Sequence, residues 1–304
     1  MKGSLRWICV SLGVVLLAGC SLPAPDASSD GSKPSEASTW FNPANTFKNP
    51  QAQALARAVQ DNNVDEVRRL IKDEHINPDG LFSDDGHRIP LVAWPVITQS
   101  LGGLKALLDN GANPNARDPK THQFCVADDC ETKHDYDNAM VYAAKAEDAA
   151  YLQALLEHSG DPNTRNSNEE SLLFQAFIWH NQWPNVQVLV EHGADINVVT
   201  QGEPILGDYT REGDFKKAYW LLQHGADPKA LDPKIKALPG QVIHHLPVED
   251  IFWYPSKPDF IDAQRQCQHW LRDHGIERPP LPKYYRDMRQ RVGYPTEEKD
   301  IPLL

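Results

Sequence analysis

The sequence predicts an all-α fold, a solenoid of about five to six helical hairpin units closed by a divergent C-terminal cap, and three observations predict it. A ten-residue segment, Ala106-Leu107-Leu108-Asp109-Asn110-Gly111-Ala112-Asn113-Pro114-Asn115, returns at Ala154–Asn163, Val188–Asn197 and Trp220–Lys229. Successive copies end 48, 34 and 32 residues apart, so one unit of about 33 residues recurs and the first interval carries about 15 more. Ahead of each Leu pair, an apolar residue three or four positions earlier (Val67, Leu104, Tyr151, Val186, Ala218) completes one face of a helix.

At the amino terminus, Lys2 and Arg6 precede the apolar run Trp7 to Leu17, which is a signal-peptide layout. The run is about half the roughly 20 residues a membrane-spanning helix needs. It ends in Leu17-Ala18-Gly19-Cys20, which resembles the lipobox of bacterial lipoproteins. That resemblance implies removal of residues 1–19 and lipid attachment at Cys20, with enough acyl chains at one residue for stable anchoring. By the sorting rule of Gram-negative lipoproteins, Ser21 in place of Asp implies the periplasmic side of the outer membrane. Residues 20–50 are rich in Ser, Pro, Ala and Asp and read as a disordered tether. As a flexible coil it spans roughly 30 Å.

Residues 51–231 carry the repeats. A weak copy, Arg69 to Asn77, opens the series and His269 to Ile276 closes it. Each Leu pair is followed by a Gly that supplies the positive φ of a helix C′ position, then by Asp or Asn and often Pro, which turn the chain. The pattern L-L-x-x-G-A-D-x-N at this period is similar to the ankyrin repeat. Ile89-Pro90-Leu91-Val92, Ser171-Leu172-Leu173-Phe174 and Glu203-Pro204-Ile205-Leu206 stand where that family has T-P-L-H, and they depart from it. The first helices are therefore expected to be degenerate, and Pro95 is expected to kink or shorten its own. The resemblance implies a stack in which each hairpin buries its apolar side only against its neighbours.

The inserted stretch at 119–137 holds Phe124, Cys125, Cys130 and the acids Asp128, Asp129, Glu131, Asp135 and Asp137. With Cys9 lost with the signal and Cys20 lipidated, Cys125, Cys130 and Cys267 remain as ordinary thiols. In an oxidising periplasm Cys125 and Cys130 can close a small disulfide loop; two free thiols, or a zinc site with His122 and His134, are the alternatives. The stretch itself reads either as a solvated acidic loop or as a rigid acidic finger that enters a basic cleft on a partner. Candidate partner-binding residues are Phe124, Asp128, Asp129, Glu131 and Asp135, together with Trp94, Trp179 and His180. The last two follow the apolar part of a first helix and are expected to face the groove. Trp220 and Cys267 are assigned to the core. His75, His158, His192, His224 and His274 all fall at or beside a helix C-terminus, where a partial positive charge suits the helix dipole.

From 232 to 304 the pattern fades. A short helix over Gln241–Leu246 and a longer one over Pro258–Asp273 form the expected cap, with Tyr284, Tyr285 and Met288 on a last short helix covering its open end and an irregular tail after Gly293.

The net charge of −12 becomes two units more negative when Lys2 and Arg6 leave, which disfavours nucleic acid and anionic lipid as partners. No nucleophile elbow, H-E-x-x-H, P-loop or dinucleotide fingerprint is present. The expectation is a binding protein without catalytic residues, cofactor or metal, monomeric when free. A lipidated ankyrin-type chain resembles the periplasmic immunity proteins that neutralise type VI secretion effectors, which implies a toxic lipase, in particular a phospholipase, as partner. Two other readings stand beside it: a scaffold or chaperone-like helper of a periplasmic enzyme such as catalase, and an envelope hydrolase with a site in the C-terminal part.

Overall fold

The computed structural model describes residues 41–126, 129–230 and 246–303. The signal segment, Cys20, Asp128 and all of the expected helix at Gln241–Leu246 except Leu246 lie outside the described residues. Leu246 caps a helix that starts at Pro247.

The helices are α1 Pro43–Thr46, α2 Pro50–Gln60, α3 Val64–Lys72, α4 Trp94–Ile97, α5 Leu101–Asp109, α6 Ala139–Ala144 and α7 Ala149–Glu157. They continue as α8 Leu172–Ile178, α9 Trp183–Glu191, α10 Ile205–Glu212, α11 Phe215–Gln223, α12 Pro247–Trp253, α13 Pro258–Asp273 and α14 Lys283–Arg291. Short polar residues start many of them: the side chains of Asn49, Asn63, Asn138, Asp148, Ser171 and Asp214 each accept a first-turn N–H. Pro95 leaves its unit a four-residue α4 entered through a single 3₁₀ turn, the shortening expected of it.

The hairpins stack in two layers. First helices α4, α6, α8, α10 and α12 pack in succession, and second helices α3, α5, α7 and α9 pack behind them, with α11 against α13 closing the row. The predicted stripe residues Val67, Leu104, Tyr151, Val186 and Ala218 are all buried, and one continuous apolar core runs through every unit into the cap. Cys267 is buried in that core, as expected, and its thiol donates to the Phe215 carbonyl at 3.4 Å. Trp220 is only half-buried, its indole stacked on His224 at 3.6 Å.

Two expectations need correction, and one left open takes a definite form. The folded part begins ahead of residue 50: α1 precedes it, and Phe47, 1% exposed, packs edge-on against Trp94 at 5.5 Å. Trp94 is itself 2% exposed, so it is a core anchor and cannot serve as a partner-binding residue. The insertion, read either as a solvated loop or as a rigid finger, is an antiparallel hairpin of Thr121–Val126 (β1) and Asp129–His134 (β2).

The repeated polar residues have a job that hydrophobic periodicity does not announce. In each finger loop one carboxylate or amide oxygen accepts the N–H two residues on, and the next side chain reaches the following unit. Asn115 accepts from the Asp161 amide, Asn163 from Asp195 and Asn197 from Asp227, at 2.7–2.8 Å. Asp79 starts the ladder by accepting from Asn113. It stops at Lys229, which has no such acceptor, and there the Pro228 carbonyl takes the Val248 N–H of the cap instead. The histidines form a second series. His158, His192, His224 and His274 each hydrogen-bond through Nδ1 to the carbonyl four residues back, at 2.7–2.8 Å. Asn110 does the same in its unit, whereas His75 instead occupies the left-handed position that Gly111, Gly193 and Gly225 hold elsewhere.

Candidate protein-binding face

The hairpin leaves the stack from a charged root. Arg88 reaches Asp118 at 2.7 Å, and burial of the Asp118 carboxyl is outweighed by this bond and by the Lys120 amide, which hold it below the usual carboxylate range. Asp135 binds Lys120 at 2.8 Å and His122 at 2.7 Å, and those two bonds lower its pKa. Asp135, a predicted contact residue, is thus part of the clamp that fixes the hairpin. On the other side Arg117 donates to the Arg165 carbonyl of the next finger.

Within the hairpin, register places Cys125 opposite Cys130, Phe124 opposite Glu131 and Val126 opposite Asp129. Cys125 is disulfide-bonded. Its cross-strand neighbour is therefore the cysteine that the sequence paired with it, and the finger reading gains a defined backbone. Among the described residues, no group of three or more His, Cys, Asp or Glu side chains is placed to hold a metal ion.

Behind the hairpin lies the first-helix layer. Asp137 at the hairpin root is 3.6 Å from Lys145 at the end of α6, and the Lys145 ammonium stands over the Trp179 ring, 5.3 Å from its centroid. Trp179 caps α8 and is 47% exposed, with Ile178 equally open beside it. His180 and Asn181 follow in the left-handed region, φ 60° and 52°. Asn181 accepts from the Tyr209 hydroxyl, so the turn is held in place and His180 is left on the surface. Burial pushes Tyr142 on α6 up to about 12, and the negative charges of Asp137 and Asp85 add to the shift. Lys145 therefore links the root of the hairpin to Trp179, and the surface around these three is the candidate face. Lys145, Ile178 and Tyr142 were not singled out from sequence; only their positions in first helices, as degenerate here as their T-P-L-H starts, carried any signal.

A second polar cluster lies one unit on. Arg211 pairs with buried Glu203 and, at 3.3 Å, with Asp208. Burial, reinforced by Glu212, raises Asp208 to about 8. In the cap, Asp250 accepts from Thr210 at 2.6 Å and from Tyr285 at 2.5 Å, tying α10, α12 and α14 together.

No protein-family model matches the sequence, and no curated protein matches it. Solved structures do. The ankyrin repeat domain of Bcl-3, a member of the IkappaB protein family, aligns over 74% of this chain and 86% of its own, with 21% identity and a TM-score of 0.52. The ankyrin repeat protein EF0377 aligns over 71% of this chain and 96% of its own, with 19% identity and a TM-score of 0.50. The fold is an ankyrin-repeat solenoid, and among the described residues the inserted hairpin is its one sheet.

Proposed function

We propose that this chain is a membrane-anchored protein-binding module, an immunity protein that inhibits a type VI secretion lipase effector by occluding it. The observation that carries the binding role is the face just described: a disulfide-braced hairpin whose root at Asp137 is linked through Lys145 to an exposed Trp179–Ile178 pair. An exposed aromatic next to apolar surface makes a strong anchor, and surrounding acids speed encounter with a basic partner.

The immunity role follows from station and mechanism. A lipid on Cys20 keeps the protein at the periplasmic side of the outer membrane, where a phospholipase delivered into the periplasm does its damage. Inhibition by covering a cleft or holding a lid needs affinity and no chemistry of the inhibitor's own.

The test is capture of partners by the full chain, solubilised in detergent, followed by expression of each captured protein in the periplasm of cells lacking this chain. The expected result is a lipase that kills those cells and spares cells that carry the chain; capture without any toxic partner overturns the immunity role. Independently, Cys20→Ala is expected to move the protein from the membrane to the soluble fraction, and retention of that variant on membranes would remove the anchor.

A further inference from the structure

The hairpin has one edge built differently from the other. β1 and β2 form a two-stranded sheet, and the Asp135 N–H donates to the Lys120 carbonyl at 3.1 Å just below it. Bonded and non-bonded pairs alternate along an antiparallel ladder. Counting from that bond, Thr121 and Gln123 fall in non-bonded pairs and turn their N–H and C=O groups away from β2. The Gln123 side chain spans its pair instead, donating to Thr132 at 2.7 Å. No third strand lies beside β1 among the described residues.

Natural sheets protect such edges with charge, proline or a bulge. β1, Thr121-His122-Gln123-Phe124-Cys125-Val126, contains no acid, Lys, Arg or Pro, whereas β2 carries Asp129, Glu131 and Lys133. Lys133 on β2 is half-buried, and His134, though exposed, lies close enough to Arg117 and Glu169 to feel both charges. Thr121, His122, Gln123 and Cys125 are all exposed. A lone two-stranded hairpin is marginal in water, so the disulfide and the Asp135 clamp hold ready a strand that would otherwise fray. A preformed edge lowers the ordering cost for a strand that joins it.

We infer that the outer edge of β1 is a strand-addition site, on which an extended segment of the partner protein pairs with Thr121–Cys125. The inference rests on the protein-binding reading and states how that binding is made. His122, Phe124 and Val126 hold alternate positions along β1, and register sets Glu131 and Asp129 opposite the last two. The segment it fits has apolar residues at alternate positions and a Lys or Arg beside them.

The probe is a phage-displayed library of random peptides about twelve residues long, enough to span a strand, panned against the full chain in detergent. Selected peptides are expected to alternate apolar and polar residues and to include Lys or Arg. Gln123→Pro removes an outward N–H and fills the edge while sparing the backbone β1–β2 bonds, and it should weaken the synthetic peptides by about tenfold or more. Gln123→Thr, which keeps the N–H, and Thr132→Pro, the same change on the other edge, should leave affinity within about twofold. Unchanged hydrogen exchange at the His122 amide, which pairs with β2, shows that the hairpin of Gln123→Pro is intact. Should that variant lose the hairpin, hydrogen exchange in the unaltered chain decides: bound peptide must slow the Thr121 and Gln123 amides. Equal binding by an intact Gln123→Pro, no slowing, or no peptides selected overturns strand addition. If peptides bind as expected but no toxic partner is ever captured, only the immunity role fails.

Discussion

Replacing Asp208 with Asn should remove most of a pH dependence that one buried carboxyl imposes on stability. The Asp208 side chain is 8% exposed, and burial raises its pKa from 3.8 to about 8, with Glu212 adding repulsion. Arg211 offers little relief: it is half-exposed, so water screens it, and its closer partner is Glu203. The unfolded chain releases this proton near pH 4 and the folded chain keeps it until about pH 8. A folded pKa above the unfolded one contributes stability in full below the unfolded value and loses it as pH rises through the folded value, at about 1.4 kcal/mol per unit. By pH 7 the ceiling on the loss is about 4 kcal/mol, and relaxation with water entry brings a realistic figure to about 1–3 kcal/mol. In a domain of this size each kcal/mol moves Tm by about 2–4 °C. Thermal melts of both proteins at several values between about pH 5 and 8 read the effect as a difference, which cancels every other titrating group. The variant should gain on the parent as pH rises. Parallel curves would mean that Asp208 is ionised and paired with Arg211 in the folded protein, and the reasoning from burial would be wrong.

Other substitutions test packing and the candidate face. Asn185, 1% exposed, donates through one amide to the carbonyls of Ala143, Ala144 and Ala146 at the end of the preceding first helix, so Asn185→Ala should destabilise by about 2–4 kcal/mol in urea unfolding; a loss under about 1 kcal/mol would mean water replaces it. Gly103 lets α5 approach α2 so closely that an added Cβ would collide with the Val59 carbonyl, and Gly103→Ala should cost about 2 kcal/mol or more despite its better helix propensity, a gain in Tm being the contrary result. Trp179→Ala should leave Tm nearly unchanged, because the ring is half in solvent, yet weaken partner binding by about tenfold or more in titration calorimetry; unaltered affinity would move the anchor elsewhere.

What could be read in advance follows from which residues repeat. Second helices recur with their Leu pairs because each must bury the same stripe, so periodicity located α3, α5, α7, α9 and α11 and the long α13 at its own boundaries. The first helices share no such pattern, since each is fitted to the particular neighbours it meets. Trp94 illustrates the difficulty: an aromatic in a short Pro-interrupted helix looks available, and only the packing of Phe47 against it from outside the expected folded region makes it core. The hairpin was hidden for another reason. Its strands are six residues each, too short for alternation to stand out, and the cysteines gave the only sign of a cross-strand pair.

The ladder of finger side chains links these two levels of legibility. Asn115, Asn163 and Asn197 stitch each finger to the next through backbone amides, so the fingers form a stiff line although each is irregular by itself. The insertion interrupts the sequence between Asn115 and Asp161 without interrupting that line, because the Asp161 amide still finds Asn115. The hairpin is therefore an outgrowth from an unbroken spine, rooted by Arg88, Asp118 and Asp135. Lys229 shows the converse. Where the Asn is missing the spine ends, and the cap must dock by other means, through the Pro228 carbonyl and the Asp250–Tyr285–Thr210 bonds. Restoring the acceptor by Lys229→Asn should consequently add little stability, since no finger amide waits beyond it among the described residues.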